Sequence, residues 1–310
     1  MSKSIYIYSP SGAVRDRGAF RRGVRRLVKL GYEVEIDVDA LTAHQRFAGD
    51  DETRLRAISR AAASGADAAL ISRGGYGLTR ILDRLPYSGL ASAIGNGTHF
   101  IGISDFTALQ SALYAMEGCT TWAGPALCEG FGVSGAAGEE NDDIMEDCFN
   151  DLLQEQGEGT GWRQDRYGLA ITEEPLVIED AVLWGGNLCV LTSILGTPFF
   201  PSIQGGVLFI EDVAEHPYRI ERMLTQLLWA GVFDKQKAIV FGQFTEYKLS
   251  GHDKGFGLPK VIDWLRARLT IPVLTNLPYG HVQTKVLLPF GAKVDLHLSG
   301  KDVMLYWGDL

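Results

Sequence analysis

Cysteine, histidine and long apolar runs are all scarce in this 310-residue chain, and each shortage removes a class of function. The four cysteines, Cys119, Cys128, Cys148 and Cys189, show no C-x-x-C spacing, which argues against a zinc site or a redox pair. Each lies near apolar residues, as the buried free thiols of a cytosolic chain do. No apolar run reaches the length needed to cross a membrane. The amino-terminal MSKSIYIYSPSGAV enters a strand pattern without the apolar core of a signal peptide, so the expected location is the cytoplasm. Positive charge is in deficit too: 29 Lys and Arg stand against 38 Asp and Glu, a net charge of −9. That balance argues against nucleic acid or an anionic membrane as the main partner. No cluster of ligand-type residues suggests a metal, and none of the motifs calls for a cofactor.

What is present is ordinary in bulk and specific in pattern. Hydrophobic residues make up 46% and charged residues 22%, the balance of a soluble globular protein, and the length is enough for two domains. The first half alternates strand patterns (5–8, 33–36, 68–71, 100–103) with helical ones (15–30, 53–64), which predicts a parallel sheet covered by helices on both faces. In such sheets ligands bind beyond the carboxyl ends of the strands. Residues 136–166, first rich in glycine and acid and then polar, read as a linker holding one helix at 143–153, between an amino-terminal domain at 1–135 and a carboxy-terminal one at 167–310. The latter reads as a smaller mixed α/β unit, with strands at 175–180, 207–210, 238–241 and 272–275 and helices at 188–195, 218–230 and 258–269. The closing KVLLPFGAKVDLHLSGKDVMLYW alternates apolar and polar residues and reads as antiparallel strands.

The most informative stretch is HFIGISDFTALQSALY at 99–114. A short β-rich run leads into Ser104, and Phe106, Leu109, Leu113 and Tyr114 then recur at the period of one helix face. A serine there has its hydroxyl at a sheet edge, where N–H groups opening the helix can stabilise an oxyanion. The alternative is a helix cap, and the G-x-S-x-G elbow is not met because Phe106 fills the last glycine position. Nucleophilic serine chemistry also needs a base and a carboxylate. Of six histidines, His297 lies in the terminal strands, His44 in a polar stretch, His99 at the far end of its strand from the serine, and His252 in the loop LSGHDKGFG. His216 and His281 remain as bases. Glu211-Asp212, just past the apolar run 207–210, supplies a carboxylate at a sheet edge or else a helix cap. The turn Arg73-Gly74-Gly75-Tyr76-Gly77 lacks the phosphate-loop lysine. It reads either as a tight turn or as a close backbone approach to ligand, with glycine N–H groups in an oxyanion hole.

Together these segments resemble the LD-carboxypeptidase family of serine peptidases, which includes the muramoyltetrapeptide carboxypeptidases and the microcin C self-immunity proteins. The resemblance rests on SPSG at 9–12, RFAG at 46–49, SRGGYGLTRIL at 72–82, GISDFTAL at 102–109 and GP at 124–125. It continues with LWGGNL at 183–188, FIEDVAEHPYRIERML at 209–224 and YGH at 279–281. It implies Ser104 as nucleophile, His281 as base, Glu211 as the orienting carboxylate, and an oxyanion hole from the N–H groups of Gly75 and Asp105. It implies a flavodoxin-like or amidotransferase-like amino-terminal domain, a smaller β/α carboxy-terminal domain, and a homodimer. The implied reaction is release of the terminal D-Ala from murein tetrapeptides in cell-wall recycling, without metal or cofactor. Arg73 and Arg219 are candidates for the free carboxylate of D-Ala, and Trp184, Asn187 and Glu215 for lining the site. Competing readings are an immunity-type hydrolase of peptidyl or aminoacyl nucleotides and a non-catalytic muropeptide-binding protein.

Overall fold

The computed structural model describes residues 2–133, 143–168 and 175–308. Two sheets organise the chain. In the first half, β1 (Ser4–Tyr8), α1 (Arg17–Lys29), β2 (Glu33–Ile36), α2 (Asp51–Ala63), β3 (Ala68–Ile71), α3 (Tyr87–Gly95), β4 (His99–Gly102), α4 (Phe106–Glu117) and β5 (Thr121–Ala123) follow in order. Strands β1 to β5 are parallel and run β2-β1-β3-β4-β5 across the sheet, the flavodoxin-like order. The reason is visible in β3: Ala69 and Ile71 enter one core while Ala68 and Leu70 enter the other. A strand apolar on both faces belongs in the middle of a covered parallel sheet. On one side Phe20 and Leu27 of α1 cover it, and Asp16 caps that helix by accepting from Gly18 N.

The rest of the chain comprises α5 (Asp143–Leu153), β6 (Gly159–Arg163), β7 (Leu176–Asn187), α6 (Leu188–Ser193), β8 (Gly206–Val213), α7 (Pro217–Trp229), β9 (Gln236–Thr245), α8 (Leu258–Arg266), β10 (Val273–Leu274), β11 (Leu288–Phe290), β12 (Lys293–Ser299) and β13 (Asp302–Tyr306). The second sheet has the order β10-β9-β8-β7-β12-β13-β6. Its first half is parallel and its second half antiparallel.

Three features depart from the division read along the chain. Strand β11, inside the terminal antiparallel run, pairs with β5 and closes the edge of the first sheet instead of joining the second. Helix α5 packs Met145 and Phe149 into the core of the first sheet, with Arg26 of α1 paired to Glu146. Strand β6 pairs with β13. The described part of 136–166 therefore serves both sheets instead of spanning a gap; residues 136–142 lie outside the described residues.

Helix α4 joins the two halves. Every residue from Phe106 to Leu113 is buried, because the helix lies between the sheets and meets both β7 and α6. Phe106 and Leu109 share one apolar core with Leu183 and Phe209 of the second sheet and with Leu188 of α6. The helix that starts beside Ser104 is thus locked against the sheet that carries Glu211.

Candidate active site

Ser104 stands where β4 has ended and α4 has not begun, with φ of 67°. A left-handed backbone costs a residue with a Cβ roughly 1–2 kcal/mol, and such strain collects at functional positions. The helix-cap alternative is not what the fold realises. Asp105 occupies the cap position without a side-chain cap bond, and among the described interactions Ser104 Oγ bonds nothing. Its side chain is half-buried and borders a cleft of about 570 Å³.

The glycine-rich turn after β3 forms the wall beside it. A Cβ on Gly74 would lie 2.6 Å from Ser104 Cβ, so only glycine fits. Gly75 takes φ of 90°. The turn is pinned from behind. Asp105 Oδ2 accepts from Leu78 N at 2.7 Å, and the buried Arg54 donates to Gly77 O at 2.7 Å. Burial pushes the Asp105 carboxyl up to about 6, against the pull of the hydrogen bond from Leu78 N and the charge of Arg54.

The opposite wall comes from the second sheet. Glu211, fully buried at the end of β8, places Oε2 2.7 Å from His281 Nδ1. His281 follows the tight Tyr279-Gly280 segment. Gly280 has φ of 141°, and a Cβ there would come within 3.2 Å of Glu211 Oε2. Burial disfavours the charged imidazole, but the charge and hydrogen bond of Glu211 outweigh it. With smaller contributions from Asp212 and Glu129, they leave the His281 pKa above its ordinary value. His281 and Ser104 border the same cleft from the two sheets, although no hydrogen bond joins them among the described interactions. Such a link tightens only when substrate is bound in many enzymes.

The remaining candidates separate. Arg73 borders the cleft, its Nε 3.3 Å from Glu129 Oε1. Trp184 does not: it is 1% exposed, edge-on to Phe200, with Nε1 bonded to Gln236 Oε1. Its place in LWGGNL suggests a lining residue, but the bulk of its ring is satisfied inside the core. Asn187 is also buried, and bonds Glu211 instead of facing the cleft. Glu215 and Arg219 pair with each other one helical turn apart and are not among the residues bordering the cleft. His216 caps α7 and faces Asp253 at 3.3 Å, so its ring is engaged away from Ser104. Sequence reasoning missed Glu129 and Lys285, which border the cleft. It named Asp212 only beside Glu211 as a candidate carboxylate, and it passed over Thr107, whose only sequence signal is a position one turn beyond Ser104.

Comparison with known proteins identifies the family of the chain. The family model described as the LD-carboxypeptidase N-terminal domain matches residues 5–124, and that of the C-terminal domain matches residues 180–296. The crystal structure of muramoyltetrapeptide carboxypeptidase from Oxalobacter formigenes superposes with a TM-score of 0.86 at 38% identity, covering 99% of each chain. A Bacillus subtilis protein named "Probable murein peptide carboxypeptidase" is 29% identical over 283 residues, 91% of this chain and 85% of its own length. The microcin C7 self-immunity protein MccF of Escherichia coli is 28% identical over 252 residues, 71% of this chain and 69% of its own.

Proposed function

The chain belongs to the LD-carboxypeptidase family of serine peptidases, and from that premise we propose that it releases the terminal D-Ala of murein tetrapeptides through an acyl-enzyme on Ser104. The observation that carries this reading is the Glu211–His281 pair at 2.7 Å, on a cleft that Ser104 also borders in a strained backbone conformation. In the first step Ser104 Oγ attacks the carbonyl carbon of the diamino acid's L-centre, and its proton passes to His281 Nε2. Glu211 holds the ring through Nδ1 and stabilises the imidazolium. The negative charge on the former carbonyl oxygen meets the N–H groups of Gly75 and Asp105. The carbon–nitrogen bond then breaks as His281 returns its proton to the leaving amine of D-Ala. Water, deprotonated by His281, cleaves the ester and restores Ser104. Arg73, a cation on the cleft wall, binds the free carboxylate of D-Ala. The same reading assigns the enzyme to the cytoplasm, to cell-wall recycling and to a homodimeric state.

The similarity to MccF supports a second reading, hydrolysis of a peptidyl nucleotide amide. The loop after Tyr247, LSGHDKGFG, has no tryptophan to stack an adenine, which favours the peptidase. Both readings are tested by incubating the protein and its Ser104→Ala variant with murein tetrapeptide and with a peptidyl adenylate analogue, and following products by mass spectrometry. Release of D-Ala by the wild type, lowered on the order of 10⁴-fold in the variant, is the expected result. Equal release by both proteins sinks the serine assignment, and cleavage of the nucleotide alone selects the second reading.

A further inference from the structure

Glu211 and Asp212 are consecutive on β8, yet both carboxylates bond the same side-chain amide. Asn187 Nδ2 donates to Glu211 Oε1 at 3.1 Å and to Asp212 Oδ1 at 2.9 Å. Neighbours on a regular strand point to opposite faces. Here the register runs from Ile210 opposite Phe241 to Asp212 opposite Phe244, so β9 carries one extra residue at this point. Such a bulge re-aims side chains.

The amide of Asn187 is fixed at both ends. Its Oδ1 accepts from Val190 N and caps α6, so its nitrogen is left to face the two carboxylates. Asp212 completes the arrangement: Oδ2 accepts from Cys189 N and Oδ1 from Val213 N, each at 2.9 Å. The Asn187 backbone N–H donates to Thr107 Oγ1 at 3.0 Å, and Thr107 lies on α4 just after Ser104. A Cβ on Gly186 would come within 2.5 Å of that oxygen, so the two segments touch without a gap. Thr107, Asn187, Glu211 and Asp212 are all buried. They form one continuous set of hydrogen bonds from the nucleophile's helix to the imidazole.

We propose that Asp212 is a positioning residue: it holds the Asn187 amide and the start of α6 in the orientation that fixes Glu211 behind His281. The inference rests on the reading of Ser104, His281 and Glu211 as the reacting set. Asp212 is not among the residues bordering the cleft, so it acts through its neighbours. Its ionisable neighbours are Glu211 on the same strand, Cys189 on α6 and His281 across the cleft wall. Burial, reinforced by the charge of Glu211, pushes the Asp212 carboxyl up to about 7. Replacing it with an amide offers Asn187 and Cys189 a group that matches only one of them, which loosens the Asn187 amide.

The test compares Asp212→Asn, Asn187→Ala and the double variant by kcat and KM for D-Ala release. It also follows the downfield ¹H NMR signal of the His281 Nδ1 proton and the rate at which a fluorophosphonate labels Ser104. Each single variant is expected to lower kcat on the order of 10- to 100-fold with KM within about twofold, the size of effect that misplacement of a supporting group produces. The double variant is expected to be no slower than the worse single one, because the two residues act as a unit. The His281 proton signal broadens or moves upfield in all three. An Asp212→Asn protein with unchanged kcat and an unchanged His281 signal overturns the inference, as does a raised KM at constant kcat or additive losses in the double variant. Asn187→Ala leaves both carboxylates in place and decides the question in the same way if Asp212→Asn does not fold. A wild type that neither labels at Ser104 nor needs it for turnover overturns the underlying triad as well. A wild type that does both, beside an indifferent Asp212→Asn, overturns only the role of Asp212.

Discussion

Gly74 lies against Ser104 so closely that a Cβ on the glycine would stand 2.6 Å from the serine Cβ and 2.9 Å from its Oγ. Contacts that short do not occur between real atoms, so one of the two backbones would have to move. Gly74→Ala is therefore expected to cost about 1–3 kcal/mol of stability through overpacking and on the order of 10²-fold in turnover through displacement of the nucleophile. Gly89, in α3, has only an ordinary contact at 3.8 Å. Gly89→Ala should instead stabilise by roughly 0.5–1 kcal/mol. Thermal melts and D-Ala release on both variants check the pair.

The strained φ of Ser104 makes stability and activity diverge. Glycine adopts φ of 67° without the Cβ penalty. Ser104→Gly should raise the unfolding free energy by about 1 kcal/mol, whereas Ser104→Ala keeps the penalty. Both variants should lose turnover on the order of 10⁴-fold. Urea denaturation beside the activity assay decides it, and a Ser104→Gly protein less stable than Ser104→Ala would refute the role of strain.

The pH dependence follows from His281, whose folded pKa lies above the usual 6.5 through the charge and hydrogen bond of Glu211, against burial. As base it must be neutral, so kcat/KM should fall as pH drops through that raised value. Removing the charge by Glu211→Gln should move this acidic limb to lower pH while lowering turnover. The stability linkage has the opposite sense. A raised folded pKa means the folded state holds the proton more tightly, so this contribution is complete below pH 6.5 and is lost as pH rises through the folded pKa. Asp212 acts the same way in a lower window, between its ordinary 3.8 and about 7. Urea melts at pH 5.5 and 8.5 should therefore show a smaller loss toward high pH in Glu211→Gln than in wild type.

Arg73 is expected to act in ground-state binding. Its guanidinium lies over Gly12 and Gly75, is 13% exposed, and borders the cleft beside Glu129. Arg73→Ala should raise KM on the order of 10-fold or more with kcat changed little, the pattern of lost uniform binding. Arg73→Lys should recover little of it, since an ammonium cannot reproduce the two-pronged geometry of a guanidinium on a carboxylate. Steady-state kinetics on tetrapeptide check this, and a fall in kcat at constant KM would contradict it.

Much of this arrangement was legible along the chain because it is local. The alternation of apolar strands and amphipathic helices over the first hundred residues implies a parallel sheet, and β3 shows why: its four consecutive apolar residues have cores on both sides. The same local pattern put Ser104 between a strand and a helix, and Glu211 at the end of a buried strand. Partner choice was less legible. His216 and His281 both sit in turns near sheet ends, and periodicity alone does not separate them; family motifs far apart in the sequence favoured His281.

The sequence by itself determined most of the elements, their order and the residue types able to do acyl transfer, because helix period, strand alternation and turn chemistry depend on neighbours within a few positions. The short strands β5 and β6 were not read from it. Only the tertiary structure decided that Trp184 packs in the core, that β11 closes the first sheet, and that the neighbours Glu211 and Asp212 converge on Asn187. Those outcomes depend on strand register, on a single extra residue in β9, and on which sheet edge was left open. These are long-range matters, settled by how much surface each pairing buries and which polar groups it satisfies.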